Sequence, residues 1–295
     1  MQKFLKIIRF DLWFFAACLV GIPLEASENI FGLPEPAIAS KGSLFLVGGG
    51  RTTDQIRAEF VRLAGGPKAR IVLIPSAATF SDMACIKEYF SPWRECAIAS
   101  LAFLDAASRE QANSPDFAHP LDDATGVWMP GGSQGRLTDL YGGTRVEQAI
   151  QHVLERGGVV GGTSAGAAVA SQLMILEGTN CDAVVSRGFG MLTGAVVDQH
   201  FSQRGRHTRL LQVLDEHPGL LGLGVDEETA LVVQGNHLRV LGESRVTLCL
   251  PTSFAHAMMV YRFQSGDDVE LMLPDGPVRE FQMRVSRQKA DTLVK

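Results

Sequence analysis

The sequence predicts an α/β fold: a mostly parallel sheet buried on both faces, with a β-rich C-terminal extension. Three observations carry this. Between Ser43 and Thr163, short continuous apolar runs alternate with stretches of helical spacing, the pattern of strands covered by helices on both sides. Each run stops at a Gly- or Pro-bearing loop, as strand ends in such sheets do. From Leu231 onward strand follows strand with no helix between, which reads as antiparallel hairpins extending a sheet edge.

Taken in order, the chain opens on Lys3, Lys6 and Arg9, then an almost wholly apolar run from Leu12 to Leu24, then Glu25-Ala26-Ser27. That is the layout of a signal peptide over 1–26, with cleavage after Ala26. The run is short of the ~20 residues a membrane helix needs, so no stable membrane span is expected, and the chain reads as secreted or periplasmic. Residues 27–42, with Pro34, Pro36 and Gly42, read as a linker. A single α/β domain is expected over 43–285, followed by a C-terminal tail over 286–295. Net charge of −5 gives no basic excess for nucleic acid. Cys85, Cys96, Cys181 and Cys249 show no C-x-x-C spacing, so no metal site is expected and no cofactor is required. Export would permit disulfides, with Cys85 and Cys96 the closest pair; four buried free thiols is the equal alternative.

SLFLV (Ser43–Val47) is the first strand, ending in Gly48-Gly49-Gly50. Those glycines lack the G-x-G-x-x-G order of a dinucleotide loop. Thr53–Leu63 has helical spacing, with Ile56, Phe60 and Leu63 apolar. RIVLI (Arg70–Ile74) is the second strand, closed by Pro75-Ser76. A helix around Ile86–Phe90, a strand at Ala99–Leu104, a polar loop at Asp105–Asp116 and a strand at Gly126–Met129 follow. Leu137–Tyr141 and Arg145–Arg156 are helical. Beyond Ser164 the expected pieces are a loop at Gly178–Arg187, a strand at Ala195–Val197, a helix at Arg206–Leu214 and a strand at Gly222–Val225.

GGVVGGTSAGAAVAS (Gly157–Ser171) places Ser164 between two glycines where a strand turns into Ala-rich sequence. This is the G-x-S-x-G nucleophile elbow, or else a tight packing turn. An active Ser needs a base, and His is the usual one. Of seven histidines, His200 ends an apolar strand and so lies on the rim with Ser164; a capping His is the alternative. A carboxylate should fix the His tautomer, and Glu177, Asp182, Asp226 and Glu227 are all candidates. Arg204, Arg206 and Arg209 fall within six positions. They read as a pocket for an acidic substrate or as a salt-bridged helix. Asp198 and Gln199 would add a site for an amine or guanidinium.

The turn Gly131-Gly132-Ser133-Gln134, the elbow GTSAGAAVAS, the run VVDQHFSQRGR and the run GLGVDEETALVV resemble the cyanophycinases over roughly Ser43–Leu250. These are serine peptidases of the same family as the aspartyl dipeptidase peptidase E. The resemblance implies a three-layer αβα sandwich like class I glutamine amidotransferases, with Ser in place of their Cys. It implies exo-cleavage of a polymer with an acidic poly-aspartate backbone bearing arginine, releasing β-Asp-Arg dipeptides. It carries over Ser164 as nucleophile, His200 as base and Asp182 as the best-fitting acid. The oxyanion donors would be the N–H groups of Gly132 and Ala165. The pocket would be Gln134, Asp198, Gln199, Arg204, Arg206 and Arg209. The family's GG-D-Q is here GG-S-Q; Ser133 removes a negative charge near the mouth, which points to a changed substrate preference. A related aspartyl or isoaspartyl dipeptidase, and an inactive binding protein on the same fold, are the alternatives. The sequence is silent on oligomeric state, a homodimer included.

Overall fold

The computed structural model describes residues 41–79, 83–251, 258–272 and 282–287. The expected signal peptide, most of the linker, and the tail beyond Arg287 lie outside them. In chain order the elements are β1 (Ser43–Val47), α1 (Asp54–Leu63), β2 (Arg70–Leu73), α2 (Met83–Tyr89), α3 (Ser91–Arg94), β3 (Ser100–Phe103), α4 (Arg109–Ala112), α5 (Pro115–Ala118), β4 (Gly126–Met129), α6 (Gln134–Tyr141), α7 (Arg145–Glu155) and β5 (Val159–Thr163). Then come α8 (Ala165–Ala168), β6 (Leu173–Gly178), β7 (Ala183–Arg187), β8 (Ala195–Gln199), α9 (His207–Glu216), β9 (Leu221–Val225), β10 (Thr229–Gln234), β11 (His237–Gly242), β12 (Arg245–Pro251), β13 (Met258–Gln264), β14 (Asp267–Met272) and β15 (Gln282–Arg287).

The main sheet has the strand order β15-β14-β11-β10-β1-β5-β4-β2-β3. The five strands from β1 to β3 are mutually parallel, and β10 adds antiparallel to β1. Their side chains alternate between two apolar clusters, as period-2 strands covered on both faces must. Leu44, Leu46, Val127 and Met129 join one cluster with Val146, Ile150 and Val153 of α7. Phe45, Val47 and Trp128 join the other with Ile56 and Phe60 of α1. The helices therefore sit on both faces of the sheet, and the expected layered α/β architecture holds. Phe60 anchors α1 through an edge-on contact with Trp128, ring centroids 5.1 Å apart; full burial of such a side chain contributes about 1.5–3 kcal/mol. Thr53 starts α1, its Oγ1 accepting the Ile56 N–H at 3.3 Å.

The structure departs from the sequence-based expectation in four places. The Asp105–Asp116 loop contains α4 and leads into α5, because Ser108 accepts the Gln111 N–H at 3.3 Å and Pro115 supplies a first helical position. The Gly178–Arg187 loop is instead the turn and second strand of a β6–β7 hairpin. The C-terminal strands divide: β10, β11, β14 and β15 extend the main sheet, whereas β12 and β13 join β9 and β8 in a separate four-stranded sheet. Sequence periodicity shows that a run is a strand but not which edge it finds. The last strand also reaches Arg287, past the expected domain end at 285. Cys96, Cys181 and Cys249 are free thiols, and Cys96 Sγ donates to the Pro92 carbonyl at 3.5 Å, so Cys96 is not bridged to Cys85. Cys249 is buried but Cys181 is exposed. Among the described residues no helix is long and apolar enough to cross a membrane.

Candidate active site

The carboxyl end of β5 delivers Ser164 at the first turn of α8 with φ 54° and ψ −107°. The sharp turn requires both flanking glycines. A β-carbon on Gly162 or on Gly166 would come within 2.1 Å of the Met129 carbonyl oxygen on neighbouring β4. Among the described residues, the three non-glycine residues with positive φ are Ser164, His200 and Glu228, all at this rim. Such backbone costs of order 1–3 kcal/mol per residue and persists where surroundings over-determine it.

His200 arrives from the other sheet. It follows β8, which pairs in parallel with β9, and its N–H donates to the Gly48 carbonyl at 2.6 Å, beyond the end of β1. The Glu228 N–H donates to the Gly49 carbonyl at 2.9 Å. The Gly48–Gly50 loop is thus the joint through which the second sheet presents its residues to Ser164. His200 Nε2 lies 2.8 Å from Ser164 Oγ, and His200 Nδ1 lies 2.6 Å from Glu227 Oε1. A carboxylate can only accept, so the Nδ1 proton donates to Glu227 and Nε2 is left to accept from the Ser164 hydroxyl. Burial pushes the His200 imidazole below its ordinary value, the Glu227 hydrogen bond pulls it back up, and the nearby Arg204 and Arg206 charges push it down.

The carboxylate partner of His200 is therefore Glu227 and not Asp182. Asp182 is exposed in the β6–β7 hairpin turn, whereas Glu227 follows β9, the strand beside β8. Its backbone N–H is fixed by Gln203 Oε1 at 3.1 Å. Asp226, one residue earlier, points the other way. It is buried, accepts the Ser202 N–H at 2.9 Å and the Ser244 hydroxyl at 2.7 Å, and so braces the turn carrying His200.

Ser164 and His200 open onto a cavity of about 510 Å³. The Gly131-Gly132 turn forms the wall beside the nucleophile: a β-carbon on Gly131 would lie 3.4 Å from Ser164 Cβ. The Ala165 N–H opens α8 and has no partner within its own helix. Ser133 caps α6, its Oγ accepting the Arg136 N–H at 3.3 Å, a task an Asp would also perform. Gln134 lines the cavity, yet its Nε2 donates to the carbonyls of Ile175 (3.0 Å) and Leu176 (2.6 Å), holding the end of β6.

The arginine trio divides. Arg209 is buried and forks onto both carboxylate oxygens of Asp198, with Nε 2.8 Å from Oδ2. Arg206 donates to the Gln199 carbonyl at 2.7 Å, to Gln199 Oε1, and to Asp198 Oδ1 at 3.5 Å. Burial, with Arg209 adding to it, pushes the Arg206 guanidinium down to about 10, so it stays charged at neutral pH. Asp198 and Gln199 are thereby occupied by arginines and do not form the expected amine site. Arg204 is exposed, lines the cavity and has no ion-pair partner among the described residues. Two lining groups escaped the sequence reading. Thr163 Oγ1 is buried with no hydrogen-bond partner among the described residues. Tyr89, from α2, is more than half exposed at the cavity. Tyr89 sits in no motif, so no sequence signal marks it; Thr163 is the residue before the nucleophile in the GTSAG elbow, whose pattern points to Ser164 and says nothing of the threonine hydroxyl. Ser76, which closes the second strand, is buried, its Oγ 2.5 Å from both Asp105 Oδ1 and Tyr141 Oη.

A serine hydrogen-bonded through histidine to a carboxylate, set at the carboxyl ends of a parallel sheet, is the arrangement of a serine-type hydrolase. The chain belongs to peptidase family S51, whose sequence profile matches residues 44–241, and the family match makes this a serine-type peptidase. A cyanophycinase of Synechococcus elongatus is 35% identical over 232 residues, covering 73% of this chain and 72% of the relative. A cyanophycinase of Geminocystis herdmanii is 34% identical over 219 residues, covering 70% and 80%. Among solved structures, that of a peptidase from an acI-B1 Actinobacterium matches with a TM-score of 0.63 at 24% identity, over 78% of this chain and 96% of that one. This last likeness is one of fold.

Proposed function

We propose that the protein is an exo-acting peptidase that hydrolyses cyanophycin to β-Asp-Arg dipeptides through an acyl-enzyme at Ser164. The observation that carries the reading is the pair of bonds at His200: 2.8 Å to Ser164 Oγ and 2.6 Å to Glu227 Oε1. As Ser164 Oγ attacks the scissile carbonyl carbon, its proton passes to His200 Nε2. Glu227 holds the Nδ1 proton and stabilises the imidazolium that results. The developing oxyanion is received by the N–H groups of Gly132 and Ala165; one such donor contributes a factor of about 10²–10³. His200 returns the proton to the leaving amine, that amine departs, and water, activated by the same imidazole, hydrolyses the acyl-enzyme. The cyanophycinase relatives supply the substrate, and Arg204, the exposed cation of the cavity, suits an aspartate carboxylate. The basic start and apolar run of residues 1–26 support export, so the polymer would be met outside the cytoplasm.

The test is incubation of wild type and Ser164→Ala with cyanophycin, with products read by mass spectrometry. Release of β-Asp-Arg by wild type alone is expected. No release by folded wild type would overturn the substrate, and Asp-X and isoaspartyl dipeptides would then be assayed with the same pair of proteins.

A further inference from the structure

The β6 strand carries an irregularity at the cavity. Its pairing with β7 runs in register as far as Ile175 opposite Val185, then resumes with Glu177 opposite Val184. Leu176 is the extra residue of a β-bulge. In a regular strand Leu176 and Glu177 would face opposite sides of the hairpin. Here both line the cavity, as expected where a bulge re-aims side chains beside an active site. The bulge is pinned from outside the hairpin, since Gln134 Nε2 donates to the carbonyls on both sides of the extra step, Ile175 and Leu176. Gln134 sits at the start of α6, directly after the turn that flanks Ser164.

The consequence is electrostatic. Glu177 is the one carboxylate-bearing side chain among the residues that line the cavity. It is exposed, and among the described residues it has neither an ion-pair nor a hydrogen-bond partner. Asp198, the other acid near the pocket, is fully committed to Arg209 and Arg206. The cavity therefore offers a ligand one unengaged cation, Arg204, and one unengaged anion, Glu177. An acidic group alone would use only the first.

We propose that Glu177 is a specificity residue: the Gln134-pinned bulge aims its carboxylate at a guanidinium or ammonium group of the substrate, while Arg204 takes the substrate's carboxylate. The proposal rests on the peptidase reading above and names the part of the substrate that this wall of the cavity selects. It also gives Gln134 a positioning role, through the bulge carbonyls, in place of direct substrate binding.

The test uses the full chain with Ser164→Ala, so that ligand persists. Calorimetric titration compares β-Asp-Arg with β-Asp-citrulline, whose ureido group has the same shape without the charge. Binding of the arginine peptide at least about tenfold tighter is expected from one charge-assisted contact. Adding Glu177→Gln should bring the two affinities within about threefold by removing that contact. In the active enzyme, Glu177→Gln should raise KM for arginine-bearing substrate about tenfold with kcat unchanged, the mark of lost uniform binding. An unchanged arginine-to-citrulline ratio in Glu177→Gln would overturn the subsite even if cyanophycin is cleaved. A charge-dependent ratio that Glu177→Gln removes, in a protein that leaves cyanophycin intact, would overturn the polymer reading and leave the subsite standing. Absence of binding by either peptide would overturn the subsite, and the cyanophycin digest alone decides the polymer reading.

Discussion

Gly49 lies flat against the imidazole of His200: a β-carbon on Gly49 would stand 2.1 Å from His200 Cε1 and 2.5 Å from Nδ1. The same residue has φ 120°, a conformation that side-chain-bearing residues rarely adopt. The glycine run after β1 is therefore a steric cradle for the base, in which the ring meets peptide backbone on one face and the Ser164–Glu227 line along its edge. Gly49→Ala should displace the ring. We expect kcat to fall by two or more orders of magnitude, on the rule that about 1 Å of misplacement costs around 10²-fold. The melting temperature should drop only modestly, since the cradle is local. Full activity in the alanine variant would show that the ring position is not held from this side.

The carboxylate assignment has a direct comparison. Glu227→Gln preserves shape but cannot stabilise the imidazolium, and in serine peptidases that loss is about 10⁴ in kcat. Asp182→Asn, in the exposed hairpin turn, should change kcat by less than about twofold, as surface substitutions away from a site do. Steady-state rates on one substrate decide between them. A large loss from Asp182→Asn with a small one from Glu227→Gln would reverse the assignment.

The pH dependence follows from the charges around His200. Its folded value lies below the ordinary 6.5, with burial the first cause. The neutral, base-competent imidazole thus persists as pH falls through 6.5, and the acid limb of kcat/KM should lie below that point. Arg204→Gln removes a charge that pushes the value down, so the limb should move to higher pH. In the residual activity of Glu227→Gln, a group that pulls it up is gone, and the limb should move lower. The same sign applies to stability: a histidine whose folded value is lowered contributes stability that is present above its unfolded value and lost as pH falls through the folded one. Superimposable profiles for wild type and both variants would exclude His200 as the titrating base.

The buried cluster behind the pocket should behave as structure. Asp198→Asn leaves Arg209 buried and Arg206 half-buried without their counter-charge, and breaking such a pair from one side costs about 3–5 kcal/mol. The melting temperature should fall by roughly 6–20 °C. Arg204→Gln, at an exposed side chain with no ion pair among the described residues, should stay within about 0.5 kcal/mol of wild type. Thermal denaturation of the two variants side by side checks both, and a stable Asp198→Asn protein would show that the arginines find compensation elsewhere.

Ser133 sits where the family pattern has an acid, and the structure gives it a helix-capping role. Ser133→Asp should therefore hold stability within about 0.5 kcal/mol, because both side chains cap well, whereas Ser133→Ala should cost about 1 kcal/mol. Chemical denaturation of the two variants distinguishes capping from a passive surface position.

Much of this protein is legible in its sequence, because the signals are local. The buried parallel strands announce themselves as apolar runs: SLFLV, RIVL and GVWM each appear as strands in the main sheet. The elbow is legible because a backbone turning sharply beside Met129 leaves room only for glycine at 162 and 166. The order and pairing of distant pieces are decided by the tertiary structure alone. In sequence Asp182 and Glu227 are both candidates, and the family resemblance favours Asp182. Only the parallel pairing of β8 with β9 puts residue 227, not residue 182, beside the imidazole. Likewise Arg204, Arg206 and Arg209 read as one cluster, but the turn before α9 and the burial behind it commit two of them to Asp198 and Gln199 and leave the third at the cavity. Periodicity and composition report what each residue prefers; which partner it meets depends on the pairing and packing of separate elements, as of β8 with β9, and that information is held in the tertiary structure.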